Sequence, residues 1–267
     1  MNQIEPDIIV VREMIDVLIQ GTQKIYFDSI YPIYQATNRS KPEAIGTSFL
    51  ITISEKYYLV SAAHVVDINK ESTLYIGMKS GLEVLDGNFL ITNPPLGDRK
   101  FDKFDFAFIQ LSDVMIERFG RQNFINLNGI QGEGVADVGN GLYVALGYPT
   151  SRNKPKPDHV YGGHHIKAKA WAYGATIVSD EEVYKRLGVT TDTHLCLKFN
   201  PKYSRGKDGE RVKSLNPQGA SGGVLVRAIC ESGVPSIVGI LISVHEAEKV
   251  ILATRVSCLL EVLNLLP

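Results

Sequence analysis

The sequence predicts an all-β protein built in two halves, with a helix at each end. Three observations carry that expectation. Apolar runs are short and numerous, at 46–53, 57–61, 73–78, 82–91 and 105–111, then near 164–177, 194–200, 223–230, 236–244 and 249–256. That is the spacing of strands joined by turns. A glycine-rich tract at 129–141 separates the two series. Helical spacing of apolar residues is confined to the two ends and one short insert.

In chain order, Ile8, Val11, Ile15 and Leu18 recur at three- and four-residue steps, so residues 6–20 should form an amphipathic helix ending near Gly21. This segment, 1–22, either packs on the first half or offers its face to a partner or a second copy. The first strand falls around Ser29–Tyr34, and residues 23–135 make the first half. The second half, 136–256, opens with Gly141–Pro149 and carries a helical insert at 180–187. The Lys/Arg-rich loops at 152–156 and 202–213 read as solvated connections. Ser257 should cap a terminal helix within 257–267.

Composition sets further bounds. A length of 267 residues, 44% hydrophobic and 21% charged, permits one large domain or two small ones. The formal net charge of −1 gives no electrostatic case for nucleic acid. Met1–Asp7 is acidic and precedes an interrupted apolar pattern, unlike a signal peptide or membrane span, so a cytoplasmic protein is expected. Cys196, Cys230 and Cys258 are an odd number with no disulfide framework and no metal-ligand spacing. His164 and His165 are adjacent and would point to opposite faces of a strand. No metal or cofactor is therefore expected.

The chemistry concentrates at Gly219-Ala220-Ser221-Gly222-Gly223. Glycines flanking a serine let the main chain approach a substrate closely, so the N–H groups of Gly219 and Ser221 can converge on the oxyanion formed when a carbonyl is attacked. A serine hydroxyl needs a base, and His64 closes the apolar run Leu59–Val66 where a strand would end. Asp105 opens the run Phe106–Leu111 and would orient the imidazole. Asp102 is a competing acid, but it sits in a charged turn beside Asp98, Arg99 and Lys100.

With Ala62-Ala63-His64, Asp105-Phe106-Ala107 and Gly219–Gly223 in that order, the chain resembles the trypsin-like (chymotrypsin-fold) serine peptidases, in their bacterial intracellular standalone form. Gly46–Ile51 and Gly147-Tyr148-Pro149 also look like bacterial members. The resemblance implies two six-stranded antiparallel β-barrels of chymotrypsin type sharing a cleft. It further implies a catalytic triad of His64, Asp105 and Ser221 and an acyl-enzyme route of peptide hydrolysis. By alignment to the family, Leu215 falls at the floor of the specificity pocket, with Val244 and Ile251 near its walls. No acidic residue stands at those positions, so a small or apolar residue is expected before the scissile bond.

Zymogen cleavage of the digestive type is not expected, because Ala220 stands where those enzymes carry an aspartate and no Ile-Val-Gly-Gly-like start exists. The oxyanion hole should be preformed, or ordered by substrate, by a regulatory partner, or by self-association through the N-terminal helix. The α/β-hydrolase elbow does not fit, since 215–218 is not strand-like, 224–229 reads as a strand, and no aspartate follows Ser221. Two alternatives remain: a silent peptide-binding pseudoprotease, or an esterase on the same scaffold.

Overall fold

The structure, a computed structural model, describes residues 8–37, 42–128, 141–153, 168–205, 211–229 and 233–265. Helix α1 (Ile8–Tyr26) leads into β1 (Ile30–Gln35), β2 (Glu43–Ile53) and β3 (Lys56–Ala62), followed by the short α2 (Ala63–Val66). Next come β4 (Leu74–Met78), β5 (Gly81–Val84), β6 (Leu90–Ile91), β7 (Phe106–Gln110), α3 (Asp113–Phe119) and β8 (Ile125–Asn126). These strands form one sheet in the order β5-β4-β1-β2-β3-β7-β6, antiparallel except that β8 pairs in parallel with β2.

The second half contains β9 (Tyr143–Gly147), β10 (Trp171–Ala175), α4 (Glu181–Leu187) and β11 (His194–Lys198). A hairpin of β12 (Tyr203–Arg205) and β13 (Arg211–Lys213) stands apart, before β14 (Val224–Arg227), β15 (Ser236–His245), β16 (Val250–Arg255) and α5 (Val256–Asn264). The second sheet is antiparallel, in the order β10-β9-β14-β15-β16-β11.

Neighbouring residues on the central strands are buried on opposite sides, which explains why these strands read as unbroken apolar runs. Phe49 and Ile51 of β2, Val60 of β3 and Phe108 of β7 enter a cluster shared with Val144, Val224 and Ile240 of the second sheet. The residues between them, Leu50, Leu59 and Ile109, form a cluster within the first half with Ile33, Ile76 and Phe119. The second sheet repeats the device: Leu225 and Ala145 turn to Leu195, Leu241 and Trp171. With a period of two, one face of each sheet builds its own core and the other joins the halves. Each Val, Leu, Ile or Phe so buried contributes about 1.5–3 kcal/mol.

Several local expectations needed revision. The first sheet has eight strands rather than six, because the run at 82–91 resolves into β5 and β6 and the short β8 is added. Helix α1 passes through Gly21 to Tyr26. Glycine costs a helix only about 1 kcal/mol, and packing of the last turn outweighs it. Thr22 and Tyr26 are buried, and the Tyr26 hydroxyl donates to Pro235 O at 2.5 Å. Ile19 packs over Gly174 of β10 while Met14 and Val17 stay exposed, so the helix lies on the second half rather than the first. The N-cap position of α5 is Arg255, without a side-chain cap, and Ser257 lies inside the helix. Burial of Leu259, Leu260 and Leu263 holds that helix. Within the loop at 202–213, Tyr203–Arg205 and Arg211–Lys213 pair as the β12–β13 hairpin.

The insert at 180–187 forms α4 as expected, with Asp180 accepting from the Glu182 N–H and Gly188 closing it in the left-handed region. Most of the 129–141 tract, together with His164, His165 and Cys230, lies outside the described residues. Cys196 is buried and Cys258 partly buried, both as free thiols. Among the described residues no helix is long and apolar enough to cross a membrane.

Candidate active site

His64 sits where β3 gives way to α2. Ala62 is extended (φ −77°, ψ 143°) and the next residue is helical, so the chain turns within a single peptide. Ala63, Val65 and Val66 are buried and anchor that turn, which leaves the His64 side chain 40% exposed. Asp105 immediately precedes β7 and adopts φ +45°, in the left-handed region that non-glycine residues avoid.

The two residues meet twice. His64 Nδ1 lies 2.6 Å from Asp105 Oδ2, and the His64 backbone N–H donates to Oδ1 at 2.9 Å. Both carboxylate oxygens are thereby fixed by one residue. With the ring proton on Nδ1, the lone pair of a neutral imidazole is left on Nε2, where a base must carry it. Asp102 is occupied elsewhere. Its Oδ2 accepts from Arg99 Nη1 and from Thr92 Oγ1, and its Oδ1 caps the Phe104 N–H. Of the two candidate acids, Asp105 is the one that contacts the imidazole.

The turn carrying Ser221 is held by its backbone. Gly219 (φ +90°) and Gly222 (φ +83°) take conformations that side chains resist, and a Cβ on Gly222 would come within 2.1 Å of Thr47 O. The N–H groups of Ala220, Gly222 and Gly223 donate to Pro217 O, Leu241 O and Ala220 O. Among the described residues, those of Gly219 and Ser221 have no acceptor. Their orientation follows from peptide planarity, since the carbonyl and N–H of a trans peptide point in opposite directions. Gln218 O accepts from the Thr150 N–H at 2.8 Å and from Thr150 Oγ1 at 3.2 Å, which turns the Gly219 N–H away from Thr150. Ala220 O accepts from the Gly223 N–H, which likewise turns the Ser221 N–H outward.

Thr47 of β2, fully buried, staples this turn to the first sheet. Its hydroxyl donates to Gly219 O at 2.9 Å while accepting from the Tyr148 N–H, and its own N–H donates to Ser221 O at 2.8 Å. The Ser221 hydroxyl donates to Ile242 O at 3.2 Å. Ile242 is the extra residue where the β15–β16 register shifts between Leu241 and Ser243. Such a bulge redirects the strand locally.

A cavity of about 670 Å³ opens over His64, Asp105, Gly219 and Ser221. Val244 and Ile251 line it, whereas Leu215 is absent from its walls and packs into the cluster of Trp171, Leu197 and Ile251. The neighbours of Leu215, Asn216 and Pro217, reach the cavity instead. Trp171 and His245 also line it, and neither was marked by any sequence motif. His245 is half-buried, with Nε2 2.9 Å from Ser243 Oγ. Burial, aided by the charge of Lys103, pushes its pKa down against the opposing pull of Glu248. It is therefore uncharged at neutral pH.

No family model matches the chain, and no curated protein matches it in sequence. Among solved structures, an HtrA-type protease, AlgW, with a tripeptide is similar over 92% of this chain at 14% identity and a TM-score of 0.48. This chain covers 62% of that one, so it spans less than two-thirds of its length.

Proposed function

We propose that this protein is a serine endopeptidase, with Ser221 as nucleophile, His64 as general base and acid, and Asp105 as the group that orients and stabilises the imidazole. The observation that carries the reading is the 2.6 Å contact between His64 Nδ1 and Asp105 Oδ2 at a cavity also lined by Ser221. The scaffold is two barrels of chymotrypsin type, a reading supported by two antiparallel sheets that each contribute part of the site.

In the reaction His64 Nε2 takes the Ser221 proton as Oγ attacks the carbonyl, and returns it to the leaving amine. The open N–H groups of Gly219 and Ser221 receive the oxyanion. Water then releases the acyl group by the same steps. Attack requires the Ser221 hydroxyl to leave Ile242 O and turn toward His64. The Val244 and Ile251 walls favour a small or apolar residue before the scissile bond, because a buried cation would need a carboxylate partner there. The open N–H groups of Gly219 and Ser221 favour an oxyanion hole formed without zymogen cleavage, which leaves substrate or a partner as the means of control.

Parallel peptide and ester libraries test the reading, with Ser221→Ala as the control. Cleavage of internal peptide bonds after small or apolar residues, abolished by Ser221→Ala, is the expected result. Turnover of esters alone would make it an esterase, and peptide binding without turnover a pseudoprotease.

A further inference from the structure

The Asp105 turn belongs to the first half, yet two of the bonds that shape it come from the second. Three consecutive carbonyls there each receive a hydrogen bond. Lys103 O lies 2.7 Å from His194 Nε2, Phe104 O accepts from Thr254 Oγ1 at 2.6 Å, and Asp105 O accepts from the Ala63 N–H at 3.0 Å. His194 and Thr254 are directly opposite one another on β11 and β16, so their side chains project from the same face of the sheet. Both are buried, at 1% and 0% exposure.

A carbonyl can only accept, so His194 must carry its proton on Nε2, which leaves Nδ1 to accept from the Thr193 hydroxyl at 2.8 Å. Burial pushes the His194 pKa down, and the ring stays neutral with this single donor. The ring also lies against Phe104, with centroids 5.8 Å apart. Neither His194 nor Thr254 lines the cavity, and nothing in the reaction above requires a buried histidine at this place.

The left-handed conformation of Asp105 gives the arrangement its purpose. A non-glycine residue held at positive φ persists only where its surroundings over-determine it. Relaxation at Asp105 would swing the carboxylate away from His64 Nδ1. We infer that the cross-strand pair His194 and Thr254 acts as a positioning clamp, locking the 103–104 backbone so that Asp105 presents its carboxylate to the His64 ring. The clamp makes the acid of the first half depend on correct docking of the second. This inference deepens the reading of the site as a serine peptidase and rests on it for its kinetic consequence, but its geometric content stands alone.

The test uses the full-length chain with Thr254→Val, which keeps shape and loses the donor to Phe104 O, Thr254→Ser, which restores it, and His194→Gln, which alters the donor to the adjacent Lys103 carbonyl. Two readouts separate the clamp from the reaction. The first is the downfield proton resonance of His64 Nδ1–H, which requires the bond to Asp105 and no activity. It should be present in the native chain and in Thr254→Ser, and lost or moved upfield in folded Thr254→Val. The second is peptide turnover, where kcat should fall about ten- to a hundredfold with KM unchanged, as for a small misplacement of a reacting group. Should His194→Gln fail to fold, Thr254→Val decides alone.

The cavity-lining charges of Arg99, Lys100, Asp102, Lys103 and Glu246 and the neutral His245 are the same in all these variants, so a change at His64 reports on Asp105. An unchanged resonance in folded Thr254→Val overturns the clamp. A resonance that responds in a chain without any peptidase turnover upholds the clamp and refutes the proposed reaction instead.

Discussion

The Ser221 turn and the Asp105 turn reach one cavity by opposite means. The first takes its shape from glycines, with Gly219 at φ +90° and Gly222 at φ +83°. The second places a non-glycine residue at φ +45° and holds it with hydrogen bonds from distant strands. Each is also stapled across the molecule: Thr47 of the first sheet binds the serine turn, and Thr254 of the second binds the acid turn. The site is thus assembled by docking two halves, and a local defect in either should register at the other's residue.

The largest effect is expected at the acid. If Asp105 orients His64 as proposed, Asp105→Asn keeps the shape but favours the wrong imidazole tautomer, and turnover should fall by about four orders of magnitude, the loss known for this change in a trypsin triad. Steady-state kinetics on a peptide substrate checks this. A loss below tenfold would mean that the 2.6 Å contact is structural only.

Gly222→Ala attacks the serine turn through its backbone. The added Cβ would meet Thr47 O at 2.1 Å on a residue already at positive φ. Strain of about 1–3 kcal/mol is expected before the clash is counted. Thermal denaturation should show a lowered Tm, together with loss of turnover. An unchanged Tm would show that the turn can relax and that glycine is not required there.

Thr47→Val removes one donor and one acceptor at a fully buried point, leaving Gly219 O and the Tyr148 N–H unsatisfied. Each such group costs about 1–3 kcal/mol. Turnover should fall about tenfold as the Gly219 peptide loosens, and Thr47→Ser should recover most of it. Equal losses in the valine and serine variants would assign Thr47 a packing role.

The smallest effect separates the regions by charge. Arg99 links Asp67, just beyond the His64 helix, to Asp102 beside the acid turn, whereas the serine turn has no ion pair among the described residues. Burial works to raise the Asp67 pKa, but hydrogen bonds from Arg99 and Lys70 outweigh it and hold it low. A lowered carboxyl pKa adds stability above its unfolded value and loses it as pH falls toward the folded one. Asp67→Asn should therefore cost under about 1 kcal/mol at neutral pH, given solvent screening. The gap in urea midpoint from the native chain should narrow below about pH 4. A gap that widens in acid would reverse the assignment.

How much of this could be read from the chain follows from the same contrast. The serine turn was legible because positive φ demands glycine, and glycine is visible in sequence. His64 and Asp105 were legible because each borders a buried run, Leu59–Ala62 or Phe106–Ile109. The clamp was not legible: a threonine and a histidine donating to main-chain carbonyls about 150 and 90 residues away leave no local pattern. Helix α1 overran Gly21 for a related reason, since the burial of Tyr26 is a tertiary fact. Leu215 packs inward while Asn216 and Pro217 line the cavity, in a segment outside any strand where no periodicity tells a side chain's direction.

The most direct test of the central claim is the rate at which a fluorophosphonate probe labels Ser221 in the full-length chain, located by peptide mass spectrometry and compared with His64→Ala. The account predicts labelling at Ser221 alone, slowed at least about a thousandfold in the variant when its base is gone. Equal rates in the two proteins, or no labelling of Ser221 in the native chain with and without peptide substrate, would contradict it.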